Sequence, residues 1–273
     1  MSVRHVTSAD GTRVAYERLG DGPPVVLVGG ALSVRGTGAP LAEQLAEQGM
    51  CAVVYDRRAR GDSGDTPPYA PEREAEDLAA VATASAADGS TAAGPSGGAV
   101  HAFGMSSGGI VVLHAAARKD TPLSRIVVFE PPFTGAGGRP QEAGHARRLA
   151  ALVGEGRRAE AVAYFMATVV GLPSQAVEEA TRSPGWARME ALAHTLVHDT
   201  TLLGDAALPT RTLSAVGLPA LVLSSEASTP ELTEAARATA QALPHGRHRA
   251  LPGAFHHVPP AELAPVVRDF LLG

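Results

Sequence analysis

Phe103-Gly104-Met105-Ser106-Ser107-Gly108-Gly109 is the stretch on which the reading of this chain turns. It follows an apolar run, Ala99–Phe103, that reads as a buried strand, and it opens another, Ile110–Ala117, that reads as an apolar helix. A strand that passes directly into a helix through Gly-x-Ser-x-Gly brings its backbones close on both sides of the apex. Small residues are therefore needed two before and two after that apex, and Gly104 and Gly108 supply them. The apex, Ser106, is forced into a strained conformation that lifts its hydroxyl clear of the sheet. Ser107 does not fit as the apex, because Met105 would then fall where a small residue is required. A helix N-terminus just behind Ser106 also turns free N–H groups toward any oxyanion formed there. The competing reading is a plain Gly/Ser-rich connection, and the flanking elements weigh against it.

Outward from this turn, short apolar runs alternate with helical patterns. Val3–Thr7 and Thr12–Leu19 flank the hairpin signal Asp10-Gly11, and Pro24–Val28 and Cys51–Tyr55 follow as strands. Arg125–Phe129, Ala220–Ser224 and Arg247–Leu251 are the strands beyond the turn. Leu41–Gln48, Glu72–Ala87, Pro230–Leu243 and Ala261–Leu272 read as helices between or after them. The pattern is α/β, with a mostly parallel central sheet flanked by helices. From Gln141 to Leu208 it breaks into short helices, so a helical cap is expected, inserted before the last two strands. The expected division is a core of residues 1–132 and 211–273 and a cap of residues 133–210, acting as lid, pocket wall or extra core. Ala82–Gly98 is of low complexity and reads as a helix end followed by a loop.

Composition narrows the function. At 273 residues, 45% hydrophobic and 19% charged, the chain reads as a soluble globular protein large enough to bury its own core. A net charge of −5 argues against nucleic acid as a partner. Cys51 is the single cysteine, which excludes an internal disulfide and a multi-cysteine zinc site. No apolar run has the length of a membrane span or a signal peptide, so no membrane is expected and the cytoplasm is the expected location. No dinucleotide glycine motif, phosphate loop or His-Glu-x-x-His pair is present, so neither cofactor nor metal is expected. Nothing in the composition speaks to oligomeric state.

A nucleophilic serine needs a base. Of ten histidines, His101 and His114 read as core or surface residues, and His145, His194 and His198 fall in the insertion. Leu251–Val258 lies between the last strand and the last helix, at the sheet end that also carries the serine, and holds His256 and His257.

With these segments the chain resembles the α/β-hydrolase family over nearly its whole length, in the order serine, cap insertion, histidine. It looks closest to a branch of small cofactor-independent esterases and non-haem haloperoxidases. Asp56-Arg57-Arg58-Ala59-Arg60-Gly61-Asp62-Ser63 is similar to that branch's Asp-Arg-Arg-Gly-x-Gly-x-Ser loop. Gly20–Gly30 is similar to its first central strand, and Pro252-Gly253-x-x-His256 to its histidine loop. The resemblance implies the α/β-hydrolase fold, with Ser106 as nucleophile and His256, rather than His257, as base. It implies backbone oxyanion donors at Ala31 and Ser107, although Gly29-Gly30 stands where the family usually has His-Gly. It also exposes a gap. The family's usual aspartate position, after the strand Ala220–Ser224, holds Ser228, which cannot compensate an imidazolium charge. Glu130, at the end of the strand after the serine unit, is the preferred acid and Glu226 the alternative, with Asp199 and Asp205 as more remote options.

The activity so implied is that of a serine hydrolase acting on a small-molecule ester, thioester or lactone through an acyl-enzyme. A cyclase or acyltransferase and a carbon–carbon hydrolase use the same machinery. A non-catalytic ligand-binding protein is the reading from another class; the missing aspartate favours it, and the elbow with His256 opposes it. Arg57 and Arg58 could bind an acidic substrate, but a buttress, with the arginines paired to acidic neighbours, is preferred. Phe133, Phe165 and Trp186 are read as lining a pocket for an apolar acyl group, or else as helical core.

Overall fold

Each apolar run read as a strand forms one in the computed structural model, which describes residues 2–88, 99–134 and 144–273. Residues 89–98 of the low-complexity stretch and 135–143 of the expected insertion lie outside the described residues. The strands are β1 (Arg4–Thr7), β2 (Arg13–Leu19), β3 (Pro24–Val28), β4 (Cys51–Tyr55), β5 (Val100–Met105), β6 (Leu123–Phe129), β7 (Ala220–Ala227) and β8 (Gly246–Ala254). They form one sheet in the order β1-β2-β4-β3-β5-β6-β7-β8. The β1–β2 and β2–β4 pairings are antiparallel and all the others parallel.

Connection length explains the split. β1 and β2 are joined by the tight Asp10-Gly11 turn, in which the Gly11 N–H donates to the Ser8 carbonyl at 2.9 Å. From β3 onward successive strands are joined through helices, and a helical crossover returns the chain in the same direction. Two of these helices, α1 (Ala39–Glu47) and α2 (Pro71–Asp88), precede the serine turn. Every residue of β3 and β4 is buried, as expected for strands covered on both faces. α3 (Ser107–Ala116) begins at Ser107, three residues before the apolar run that marked it. Its glycines are poor helix formers, but the first turn is held by the Gly109 N–H donating to the Ser106 carbonyl at 2.8 Å.

Among the described residues six α-helices stand between β6 and β7: α4 (His145–Gly154), α5 (Arg158–Tyr164), α6 (Ser174–Thr181), α7 (Trp186–Ala191), α8 (Leu196–Leu203) and α9 (Thr210–Ser214). They enclose a small core of their own, made by Leu149, Leu152, Ala161, Val162, Ala193 and Leu196. Ala31 and Leu32, from the loop after β3, pack against it. The sheet is completed by α10 (Pro230–Ala242) and α11 (Pro260–Leu272). Among the described residues no helix is long and apolar enough to cross a membrane.

Candidate active site

Ser106 is the single residue between β5 and α3, with φ 53° and ψ −126°, a conformation in which side chains are rarely tolerated. Its N–H donates to the Phe129 carbonyl at 2.9 Å, so the turn is tied to the end of the neighbouring strand. The two glycines are required for the reason the sequence suggests. A Cβ on Gly104 would lie 2.5 Å from the Gly108 carbonyl oxygen, and one on Gly108 would collide with the carbonyl oxygens of Val28 and Gly29. Both obstacles are backbone and cannot swing aside. Gly108→Ala is therefore expected to destabilise the protein by about 3 kcal/mol, the upper part of the usual range for overpacking, read from urea unfolding midpoints.

The parallel register brings the ends of β5, β6, β7 and β8 to one edge of the sheet, and Glu130 and His256 meet at the end of β6. Glu130 follows β6 and has no exposed surface. Its Oε2 lies 2.7 Å from His256 Nδ1 and accepts the His256 backbone N–H at 2.9 Å. Its Oε1 accepts the Ser225 N–H at 2.8 Å. Burial alone would favour the protonated acid. The His256 ring and the Ser225 N–H more than offset it, and the carboxyl is held below its usual range. His256 is partly exposed, and its ring meets Phe129 edge-on. Ser106, Glu130 and His256 all have positive φ, at 53°, 47° and 48°. Such conformations gather where a site over-determines its backbone. Among the described contacts no hydrogen bond joins Ser106 Oγ to His256. Such bonds are often long before a substrate is bound.

The other acidic candidates stand elsewhere. Glu226 sits where the β7–β8 register shifts and is exposed, with no described contact to His256. A residue at such an irregularity is turned away from its partner strand. Asp205 accepts the Ala207 N–H and is exposed. Asp199 is buried but faces arginines, not the histidine. His257 is exposed beside His256.

The loop after β3 passes over the serine: a Cβ on Gly30 would lie 3.2 Å from Ser106 Cβ. A side chain at position 29, where the family's histidine would stand, would require Ser33 Oγ to move aside. That hydroxyl instead donates to the Gly30 carbonyl at 2.6 Å. Among the described residues the N–H of Ala31 has no partner. The N–H of Ser107 heads a helix and has no carbonyl within it to bond. Two backbone N–H groups without a described acceptor thus belong to the loop that passes over Ser106 and to the residue that follows it.

The Asp56–Ser63 loop is a buttress. Asp56 accepts the N–H groups of Arg35 and Asp62 at 2.7 and 3.0 Å. Arg57 grips Glu74 with two bonds of 2.6 Å, and Arg58 grips Asp77 with two of 2.8 Å. All four side chains are buried, so neither arginine is free for an acidic substrate. The sequence reading held Asp199 of α8 only as a remote candidate for the acid and missed what it binds. It accepts from Arg57 at 2.9 Å, from Arg60 at 2.8 and 3.0 Å, and from Ser107 Oγ at 2.8 Å. Burial, followed by the neighbouring Arg57, pushes the Arg60 guanidinium below its usual range, and Asp199 works against that. The arginines also pull the Asp199 carboxyl below its own range despite its burial.

Of the two readings of the aromatic residues, their surroundings match the core one. Phe133 is buried in the main core, in the cluster that also holds Leu202 and Leu213. Phe165 and Trp186 are partly buried against the core of the insertion, on the cluster that Ala31 and Leu32 join. A cavity of about 270 Å³ opens instead beside His256, walled by Phe103, Met105, Phe129, Val54 and Leu263, and none of the three aromatics lines it. Among the described residues no group of three or more His, Cys, Asp or Glu side chains is placed to hold a metal.

This architecture has clear counterparts. The model of the alpha/beta hydrolase family matches residues 25–266. An alpha/beta hydrolase from Sphaerobacter thermophilus DSM 20745 is 46% identical, with a TM-score of 0.88 over 98% of this chain and 99% of that one. A thermophilic esterase from Thermogutta terrifontis shares 22% identity and a TM-score of 0.70, over 100% and 98% of the two chains. The enol-lactonase from Burkholderia xenovorans LB400 shares 20% and 0.69, over 99% and 100%. The last two likenesses concern the fold.

Proposed function

The chain belongs to the alpha/beta hydrolase family, and on that premise we propose that it cleaves a small-molecule ester, thioester or lactone through an acyl-enzyme on Ser106. The observation that carries this reading is the buried Glu130 carboxylate, 2.7 Å from His256 Nδ1, at the sheet edge where the strained Ser106 stands. A carboxylate there favours the proton on Nδ1. Nε2 is then free to take the Ser106 proton as Oγ attacks the substrate carbonyl. The N–H groups of Ala31 and Ser107 receive the developing oxyanion, an interaction worth roughly 3–4 kcal/mol per donor in comparable sites. His256 returns the proton to the leaving alcohol, thiol or lactone oxygen. It then activates water to release the acid. The cavity beside His256 is lined largely by apolar side chains, which suits an apolar group on the substrate. No step calls for a metal or cofactor.

The test is intact mass after incubation with a fluorophosphonate, on the wild type and on His256→Ala. Ser106 Oγ displaces fluoride from phosphorus, so one adduct per chain is expected in the wild type. In His256→Ala it should form at least a hundredfold more slowly, since the base is gone (general-base catalysis is typically worth about 10²–10⁴). A folded wild type that gains no mass would move the reading to a ligand-binding protein.

A further inference from the structure

The proposed chemistry needs the N–H of Ala31 to face Ser106, and the buried charges beside it bear on how that orientation is fixed. A trans peptide holds its C=O and N–H on opposite sides. Whatever grips the Gly30 carbonyl therefore aims the Ala31 N–H the other way. Arg60 Nη1 donates to that carbonyl at 2.6 Å and to the Ser33 carbonyl at 3.3 Å, while Ser33 Oγ adds a second bond of 2.6 Å to the Gly30 oxygen. The next carbonyl back, of Gly29, accepts from Arg57 at 3.3 Å.

Both guanidiniums end on one carboxylate. Arg60 Nη2 reaches both oxygens of Asp199, and Arg57 Nη1 reaches one of them. Ser107, whose N–H is the other proposed donor, gives its hydroxyl proton to the same Asp199 oxygen at 2.8 Å. Asp199 therefore connects to one oxyanion donor through Arg60 and to the residue carrying the other directly. It belongs to α8, within the inserted helices, and lies 139 residues from Arg60 and 92 from Ser107.

Arg57, Arg60, Glu74 and Asp199 are two positive and two negative groups, each at most 2% exposed. Their charges balance, so the cluster projects little net field on the serine. A buried ion-pair cluster is also a weak device for stability, because desolvation consumes most of the Coulomb gain. Geometry is what remains. We propose that Arg60 and Asp199 are positioning residues of the oxyanion hole: α8, through Asp199 and Arg60, holds the Gly30–Ala31 peptide with its N–H toward Ser106, so that the inserted helices must be seated for the hole to form. The inference rests on the serine-hydrolase reading.

The experiment compares wild type, Arg60→Met, Asp199→Asn and Ser33→Ala on a p-nitrophenyl ester, with two inhibitors. One is a trifluoromethyl ketone, to which Ser106 adds to give a hemiketal whose oxyanion occupies the hole. The other is the corresponding alcohol, which forms no adduct. Removing a whole oxyanion donor costs about 10²–10³ in kcat, and a misaimed one less. Arg60→Met and Asp199→Asn are expected to lower kcat about 10–100-fold with KM within about twofold. Affinity for the ketone should fall by the same factor as kcat, and affinity for the alcohol should not. A purely structural role would lower thermal stability without this matched loss. Ser33→Ala removes one bond to the same carbonyl without disturbing a buried charge, and it keeps the test sound should the charge variants fail to fold. It is expected to lower kcat several-fold in the same pattern. If the wild type is active and labelled at Ser106 while the folded variants keep kcat and ketone affinity within twofold, this inference falls alone. If the wild type neither labels nor turns over an ester, the proposed function falls and takes this inference with it.

Discussion

Ser106→Gly is expected to abolish turnover and to give a protein that is harder to unfold. The two effects share one cause. At φ 53° and ψ −126° the serine occupies backbone space that glycine enters freely and other residues enter at a cost of about 1–3 kcal/mol. Glycine relieves that cost. It also makes the unfolded chain more flexible, which returns about 0.5–1 kcal/mol. The net expected gain is about 1 kcal/mol, or a rise of roughly 2 °C in Tm for a chain of this size. Ser106→Ala keeps its Cβ and hence the strain, so its stability should match wild type within about 0.5 kcal/mol. Both variants lose the nucleophile, and kcat on an activated ester should fall about 10⁴–10⁶-fold. Urea unfolding and p-nitrophenyl ester hydrolysis on the three proteins read both effects. A glycine variant less stable than wild type would mean that the turn carries no strain to relieve, and an active alanine variant would remove Ser106 from the chemistry.

The elbow was legible because its constraints are local. Gly104, Ser106 and Gly108 lie within five residues, and the steric reason for each can be stated before any contact is known. The strands were legible for a similar reason: β3 and β4 are buried on both faces and so read as unbroken apolar runs. The choice of acid was not legible in this way. Glu130 and Glu226 both stand at strand ends on the same edge, and the sequence, though it prefers Glu130, does not show which side chain turns inward. In the fold Glu130 lies against His256, while Glu226 is exposed where the β7–β8 register shifts. Asp199 was further out of reach. Its partners are 92 to 142 residues away, and a single aspartate in a short helix carries no periodic signal of what it will meet. One trace was present: an arginine, Arg60, at the variable position of the Asp-Arg-Arg-Ala-Arg-Gly loop, beside a first strand that ends in Gly-Gly. A fourth charge buried near the turn required a carboxylate, and the insertion provided it. Phe133 stayed open between two readings for the opposite reason, since an aromatic residue at the start of an insertion fits core and pocket equally well.

Glu130→Gln is expected to lower kcat about 10³-fold, within the roughly 10²–10⁴ lost when the acid of a comparable triad becomes an amide. Here the reason can be stated atom by atom. Both oxygens of Glu130 accept backbone N–H groups, Oε1 from Ser225 and Oε2 from His256, and Oε2 also faces His256 Nδ1. An amide has one accepting oxygen and one donating nitrogen, so one of these places must be mismatched. With the NH₂ toward Ser225, two donors confront each other in a buried site, at about 1–3 kcal/mol. With the NH₂ toward His256, Nδ1 must become an acceptor, the ring proton moves to Nε2, and the nitrogen that should take the Ser106 proton is already occupied. The second arrangement also sets the NH₂ against the His256 backbone N–H, so both arrangements cost stability and the second alone accounts for the loss of rate; either way KM should change little. Acid unfolding should report the same exchange. The folded carboxyl of Glu130 lies below the ordinary glutamate value of about 4.3, so the stability it lends is fully present above that pH. It is lost as the pH falls through the lower folded value. The glutamine variant has nothing to lose there, and its stability should fall less steeply in that range. Glu226→Gln is the control and should keep kcat within twofold, because that side chain is exposed at the end of β7. If Glu130→Gln instead lost less than about threefold while Glu226→Gln lost a hundredfold or more, the orienting role would pass to Glu226.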